Sequence, residues 1–223
     1  MSLHSLELQR CRSYLALIDD ILNLQSHSNS LVVAKFDAIS AMLDTGTSSL
    51  IEFDVAIAEL VTLANEPMFV WKLLPKLRIN LLMGRGQSPL YLISSPDIKS
   101  FITEFVRLFS LLFDASSRCD VKDSGDCFTL SISLQTPAQD TYHVKSDSVI
   151  SLLLFLGREV IGEKFDFKHI DFPSTRENFE QSIVSARTSA TISRTGEVAS
   201  VQISKSLLAE KNGFYNPDFY NQL

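Results

Sequence analysis

The stretch Cys127-Phe128-Thr129-Leu130-Ser131-Ile132-Ser133-Leu134 decides the fold class of this chain. Its apolar Phe, Leu and Ile residues alternate with small, more polar ones, a period of two that is typical of a strand with one buried and one polar face. The preceding Asp123-Ser124-Gly125-Asp126 has the composition of a hairpin turn, so residues 118–122 are predicted to be the partner strand. The centre of the chain therefore predicts an antiparallel β-hairpin.

The residues before this hairpin are predicted to be helical. Apolar side chains recur at three and four residues over 14–22, 36–43 and 55–64, with Asp54 as the expected cap of the third helix. The stretch Gly84-Arg85-Gly86-Gln87-Ser88-Pro89 is a break, and it lacks the glycine spacing and the Lys-Ser/Thr of a phosphate-binding loop. Ser94-Ser95-Pro96-Asp97 then predicts a serine-capped amphipathic helix over 98–112.

The residues after the hairpin mix strands and helices. Asp147 to Ile161 is predicted to be a buried helix, because it is apolar nearly all round, and Gly162 closes it. The other predicted elements are a strand at 141–145, a strand at 165–172 with a bulge near His169, a capping box at 174–177 that opens a short helix, and a hairpin of 188–193 with 197–204.

Together these patterns predict an α+β fold. A helical amino-terminal part, residues 1–86, precedes a mixed part, residues 87–223, with a mainly antiparallel sheet packed by helices. The joint is a loop and not a long linker, so the two parts are expected to form one continuous unit.

Composition and charge narrow the function classes. The chain has 223 residues, 45% of them hydrophobic, and a net charge of −6. Because affinity for DNA comes largely from neutralising phosphates, an acidic chain is not expected to bind DNA by itself. The start lacks a secretory signal, and the longest apolar block, 149–156, is too short to span a membrane, so the protein is expected to be cytoplasmic.

The chain shows no catalytic or metal-binding motif. Its three cysteines and four histidines have no metal-ligand spacing, and the nucleophile, zinc and dinucleotide signatures are missing. The sequence therefore predicts a protein that is not an enzyme and that holds no cofactor or metal. Two readings of Cys119 and Cys127 stay open: reduced thiols, or a pair that faces across the hairpin.

One charged residue stands out in the buried helix. Arg158 either pairs with an internal acid, reaches solvent at the rim, or meets an acidic ligand, since a buried arginine is normally paired. The candidate ligand-binding residues are Arg158, Tyr91, Phe105 and His169.

The order of the elements resembles a known family. Leu90-Tyr91-Leu92-Ile93-Ser94-Ser95-Pro96 and the helix that ends Phe105-Val106-Arg107-Leu108 resemble the amino-terminal, arabinose-binding-type domain of bacterial AraC-type transcription regulators, where a short apolar strand leads into such a helix. The helix with Arg158 before Gly162, the strand that ends at Pro173 and the closing strands before Leu207 follow in the family's order. The resemblance covers roughly residues 30–220.

The resemblance implies a regulatory function. Such domains bind a small effector, or dimerise, and bias a carboxy-terminal helix-turn-helix pair that reads DNA. We therefore expect a homodimer with a small-molecule effector, in which DNA is bound only by a helix-turn-helix domain that this chain lacks and no membrane is involved. The alternatives are a purely dimerising or partner-binding module without a ligand, and a small cytosolic enzyme with an unrecognised site.

Overall fold

The computed structural model describes residues 5–24, 27–45, 50–66, 68–78, 88–112, 117–134, 139–176 and 179–222. The chain divides into two compact units, a helical unit, Met1–Gly84, and a mixed unit, Arg85–Leu223. Most of the predicted loop at 84–89 lies outside the described residues.

The helical unit contains four helices among its described residues: α1 (Ser5–Leu22), α2 (Ser30–Thr45), α3 (Leu50–Ala64) and α4 (Phe69–Leu73). The predicted periodicity of α1 is confirmed, and Ile18 and Leu22 of its apolar stripe are buried. Pro75 ends α4 in a short 3-10 turn, as expected for a residue without an amide hydrogen. The predicted cap at Asp54 is wrong, because α3 already begins at Leu50.

The mixed unit opens with three helices: α5 (Ser88–Ile93), α6 (Ile98–Arg107) and α7 (Phe109–Leu112). The short strand expected at 90–93 is therefore a helix. The cap of α6 is Asp97 and not a serine, because the extended backbone of Asp97 brings its carboxylate within 2.8 Å of the amide nitrogen of Ser100. The predicted single helix over 98–112 breaks at Leu108.

A five-stranded sheet forms the second layer of the mixed unit. Its strands are β1 (Arg118–Ser124), β2 (Cys127–Ser133), β3 (His169–Pro173), β4 (Thr191–Gly196) and β5 (Ala199–Ser204), in the order β1-β2-β5-β3-β4. All neighbours are antiparallel except β3 and β4. The predicted hairpin is confirmed, with Gly125 at φ 72° in the turn, and the fold is α+β as expected.

Three predicted elements of the mixed unit are wrong. Residues 141–145 are not a strand but the start of the long helix α8 (Gln139–Ile161). The strand expected at 165–172 is only His169–Pro173, and its irregularity lies between Asp171 and Pro173. The capping box at 174–177 opens no helix, since α9 (Gln181–Ser185) begins later, after Glu180.

The closing strands β4 and β5 do not form the predicted hairpin. Only residues 197–198 connect them, yet β3 lies between them and pairs with both. In β5 the buried residues Ala199, Val201 and Ile203 alternate with half-buried ones, and the strand has neighbours on both sides, β2 and β3. Local alternation identified both strands but not their partners.

The two faces of the sheet differ in chemistry. Leu130, Ile132, Val201 and Ile170 lie at facing positions of neighbouring strands and are buried. The opposite face carries serine, threonine and glutamine at the intervening positions. Helix α8 packs against α5 and α6, and α6 also contacts β1. The last helix is α10 (Pro217–Gln222).

Candidate functional site

A surface groove of about 460 Å³ lies where α8 ends. Gly162 stops the helix by taking φ to 71°, a conformation that suits glycine, and the chain turns through a 3-10 turn, Gly162–Lys164. The groove is lined by the last turn of α8, this 3-10 turn and residues 210–214. The fold thus gathers charged side chains from three segments around one opening.

Arg158 lies in this groove with its side chain 24% exposed. Its Nε donates a hydrogen bond to the carbonyl oxygen of Phe165 at 3.3 Å and is 3.5 Å from the carboxylate of Glu163, while Nη2 is 3.7 Å from Asp166. Within the described part of the chain, neither Nη nitrogen makes a hydrogen bond. The guanidinium is therefore held by its inner nitrogen, and its terminal fork has unused donors.

Asp166, the less exposed of the two acids, is already engaged elsewhere. Its carboxylate accepts hydrogen bonds from the hydroxyl of Thr188, from the amide nitrogen of Ser189 at 2.7 Å and from the hydroxyl of Ser189 at 2.8 Å. It also accepts a hydrogen bond from the amide nitrogen of Phe167 at 2.8 Å. These donors satisfy its oxygens, which explains why Arg158 comes no closer than 3.7 Å.

Two lysines of the groove form ion pairs at its rim, and Glu159 adds an exposed carboxylate to the lining. Lys164 is 3.4 Å from Glu210, and Lys211 is 2.9 Å from Asp97, the cap of α6. Burial alone would raise the pKa of Asp97, but hydrogen bonds from Lys211 and Ser100 outweigh it and hold the pKa below its ordinary value. The rim is consequently charged but largely neutralised.

An aromatic ring completes the lining. Phe214 belongs to the groove, yet it is 92% exposed. The groove thus offers an arginine fork with unused donors beside an uncovered apolar surface. Such a combination can hold a small molecule that carries both a carboxylate and an apolar part.

Two other candidate residues lie elsewhere in the mixed unit. Tyr91 stacks on Tyr220 of α10, with ring centroids 4.9 Å apart and hydroxyls at 3.1 Å, and burial and Tyr91 raise the pKa of Tyr220. Phe105 is fully buried between Phe101 and Phe109, at centroid distances of 6.2 and 6.0 Å. Neither side chain lines the groove with Arg158.

His169, the fourth candidate, lies on the polar face of the sheet. Its Nε2 is 2.8 Å from the hydroxyl of Ser193, and this hydroxyl donates to Asp171 at 2.5 Å. Burial would raise the pKa of Asp171, but hydrogen bonds from Ser193 and Thr195 lower it below its ordinary value. The Ser193 hydroxyl donates its hydrogen bond to the carboxylate and not to the imidazole. The cluster therefore lacks the arrangement in which a histidine accepts the hydrogen of a serine nucleophile and activates it.

Sequence reasoning missed the most buried charge pair. Arg176 donates from Nη1 and Nη2 to the two carboxylate oxygens of Asp147, the second at 2.6 Å, and the two side chains are 2% and 1% exposed. The guanidinium carbon also lies 4.9 Å from the ring centroids of both Phe172 and Phe179. The signal in the sequence is an arginine with aromatic residues four before and three after it.

The cysteines do not face each other across the hairpin. Cys119 is opposite Ile132 and Cys127 is opposite Ser124, and both are buried free thiols. The described residues include no cluster of three histidine, cysteine or acidic side chains that could hold a metal ion. No described helix has the length and apolar composition needed to cross a membrane.

Comparison with known proteins places the fold. No protein-family model matches the chain, and no curated protein matches its sequence. The arrangement of helices and strands is nevertheless shared with a transcriptional regulator of known structure. That regulator is CdpR from Pseudomonas aeruginosa. It superposes on 92% of this chain with a TM-score of 0.65 and 14% sequence identity. The similarity spans 59% of the CdpR chain and shows a common fold.

Proposed function

We propose that this chain is the regulatory part of an AraC-type transcription regulator, in which it controls a separate helix-turn-helix part that holds the DNA. The likeness to CdpR supports this, because CdpR is a transcriptional regulator and the shared fold accounts for 59% of it. The net charge of −6 agrees with a part that does not itself neutralise phosphates.

The regulatory signal in this proposal is a small effector that carries a carboxylate and binds in the groove at the end of α8. The observation that supports it is the guanidinium of Arg158, whose Nη nitrogens make no hydrogen bond within the described residues while Nε is anchored on Phe165. A planar fork of this kind matches a carboxylate with two parallel hydrogen bonds. The volume of about 460 Å³ suits a small metabolite.

Calorimetric titration tests the effector site. A panel of aliphatic and aromatic carboxylates and amino acids is titrated into the wild type, Arg158→Gln and Arg158→Lys. Hydrogen bonds to a charged group contribute about 1.5–3 kcal/mol. We therefore expect Arg158→Gln to weaken binding of a carboxylate about 10- to 150-fold. Arg158→Lys keeps the charge but loses the fork, and it should recover only part of the affinity.

The matched control is Lys99→Gln, which removes one positive charge from an exposed residue of α6 that does not line the groove. It should bind like the wild type. Equal affinity of wild type and Arg158→Gln for the same carboxylate would refute this site, and a panel in which nothing binds would refute an effector of this class.

A second candidate function is a dimerising module without a small ligand. It is favoured by the exposed edge of the sheet, where six of the seven residues of β1 are solvent-exposed. A dimer that binds no carboxylate of the panel would select this second function over the first.

A further inference from the structure

Strand β1 leaves a long edge of the sheet open. It is the terminal strand in the order β1-β2-β5-β3-β4, and of its seven residues, all of them described, only Cys119 is buried. Val121, at the middle of the strand, is 44% exposed although it is apolar. An edge of this length with an exposed apolar centre is a template for pairing with another strand.

The hairpin geometry tells which backbone groups of β1 point outward. Ser124 and Cys127 flank a two-residue turn, and such a flanking pair exchanges both its hydrogen bonds. Hydrogen-bonded and non-hydrogen-bonded pairs alternate along an antiparallel ladder. The amide and carbonyl groups of Cys119, Val121 and Asp123 consequently point away from β2, toward the open edge.

We propose that this edge pairs antiparallel with β1 of a second copy of this chain, with Val121 opposite Val121 at the two-fold axis. This register pairs all seven residues of the strand. It also places Asp120 of each copy opposite Lys122 of the other, so that two pairs of opposite charges face each other across the axis. The strand is thus complementary to itself in charge.

The register also joins the apolar faces of the two sheets. Val121 lies opposite Leu130 of β2, so it shares the buried face of the sheet. Directly opposed residues of an antiparallel pair lie on the same face, so the two copies of Val121 meet there and two five-stranded sheets become one.

Two facing pairs remain: Arg118 with Ser124, which places a charge opposite a neutral hydroxyl, and Cys119 with Asp123. The Asp123 carboxylate stays neutralised by Lys205 of its own copy, at 2.7 Å. Burial raises the pKa of the Cys119 thiol to about 12, so the group opposite this carboxylate is uncharged at neutral pH. No pair of like charges therefore opposes the register.

Variants that exchange the charges at positions 120 and 122 test the interface. Analytical ultracentrifugation measures their dimerisation from 1 µM to 1 mM, which spans roughly the dissociation constants of moderate and weak dimers. Asp120→Lys and Lys122→Asp each place like charges opposite each other twice, and each should weaken the dimer at least about 10-fold. The double exchange Asp120→Lys/Lys122→Asp restores opposite charges and should restore the dimer.

Mixing the two single variants sharpens this test. Asp120→Lys carries two lysines and Lys122→Asp carries two aspartates, so together they should form a heterodimer that neither forms alone. Circular dichroism of each variant verifies that it is folded. A second variant, Val121→Pro, removes an outward amide hydrogen without breaking a hydrogen bond to β2 and should also weaken the dimer. Lys122→Pro removes a hydrogen bond to β2 and should destabilise the hairpin itself.

Three results would overturn the proposal. The first is a chain that stays monomeric up to 1 mM, a concentration about equal to the dissociation constant of a very weak dimer. The second is a dimer that is indifferent to all the charge variants, since its interface would then lie elsewhere. The third is a dimer that Asp120→Lys disrupts but Lys122→Asp leaves intact, because this would place the axis at Cys119, where Arg118 faces Asp120.

Discussion

Two arginines of the mixed unit, Arg176 and Arg158, differ in how their guanidinium groups are satisfied. The fork of Arg176 is closed by Asp147, and two aromatic rings cover it. The guanidinium of Arg158 is anchored through Nε, which is 3.5 Å from Glu163, and its Nη2 is 3.7 Å from Asp166. It lines an open groove. Both depend on α8, which supplies Asp147 in its first half and Arg158 in its last turn.

The difference separates a structural charge from one that is available for binding. A ligand could reach Arg176 only by breaking its buried pair with Asp147, and breaking a buried pair is strongly destabilising. A ligand that binds the Nη nitrogens of Arg158 needs to displace one long contact, that of Nη2 with Asp166 at 3.7 Å. The two residues therefore predict opposite responses to substitution: large losses of stability at Arg176, and losses of binding at Arg158.

The largest effect is expected where the buried pair is broken. Asp147→Ala breaks the pair with Arg176 in a site where the arginine side chain is 2% exposed, and the free energy of unfolding should fall by about 3–5 kcal/mol. Urea unfolding followed by circular dichroism measures this. The double variant Asp147→Leu/Arg176→Met removes both charges and should recover most of the loss. A loss below about 1 kcal/mol in Asp147→Ala would contradict the assignment of the pair as structural.

A smaller effect is expected at the residue before Arg158. A Cβ atom added at Gly157 would lie 2.3 Å from the ring of Phe165, so the ring must move in a packed core. We expect Gly157→Ala to lower the free energy of unfolding by about 1–3 kcal/mol. It should also weaken ligand binding, because Phe165 supplies the carbonyl that anchors Arg158.

Gly213→Ala is the control for this substitution. Gly213 also lines the groove, but an added Cβ meets no atom within 4 Å, so its stability should match that of the wild type. Equal free energies of unfolding for Gly157→Ala and Gly213→Ala would show that the Phe165 ring can move without loss of stability.

The smallest effect on stability is expected at Arg158 itself. Its contacts with Glu163 and Asp166 are long, and Glu163 is largely exposed, so Arg158→Gln should change the free energy of unfolding by less than about 1 kcal/mol. The same urea measurement applies, and its comparison with Asp147→Ala gives the contrast directly. A loss as large as that of Asp147→Ala would make Arg158 a structural residue and remove the reason for assigning a ligand to it.

Sequence patterns predicted what is local in this fold. The alternation over residues 127–134 and the turn at Gly125 identified the β1–β2 hairpin, and the apolar run before Gly162 identified the second half of α8. Pairing between distant segments leaves no such pattern. The alternation of β5 is the same whether its neighbour is β4 or β3, so only the folded chain shows that β3 lies between them.

The same limit applies to the two arginines. Arg158 stands out in the sequence because its neighbours are apolar, and the structure places it beside acids at the end of the helix. Arg176 lies in a polar stretch that predicted a surface cap, yet it is buried, because α8 supplies its carboxylate from 29 residues earlier. Burial of a charge is set by distant partners, and local polarity does not reveal it.

The position of β5 has a consequence for how the protein is made. Strand β5 joins the β1–β2 hairpin to the β3–β4 pair, and it is the last strand in the sequence. Until β5 has been synthesised, no strand can join β2 to β3, and the sheet cannot be completed. A chain interrupted before that point cannot close its core, so synthesis of this unit is productive only once its final strand is complete.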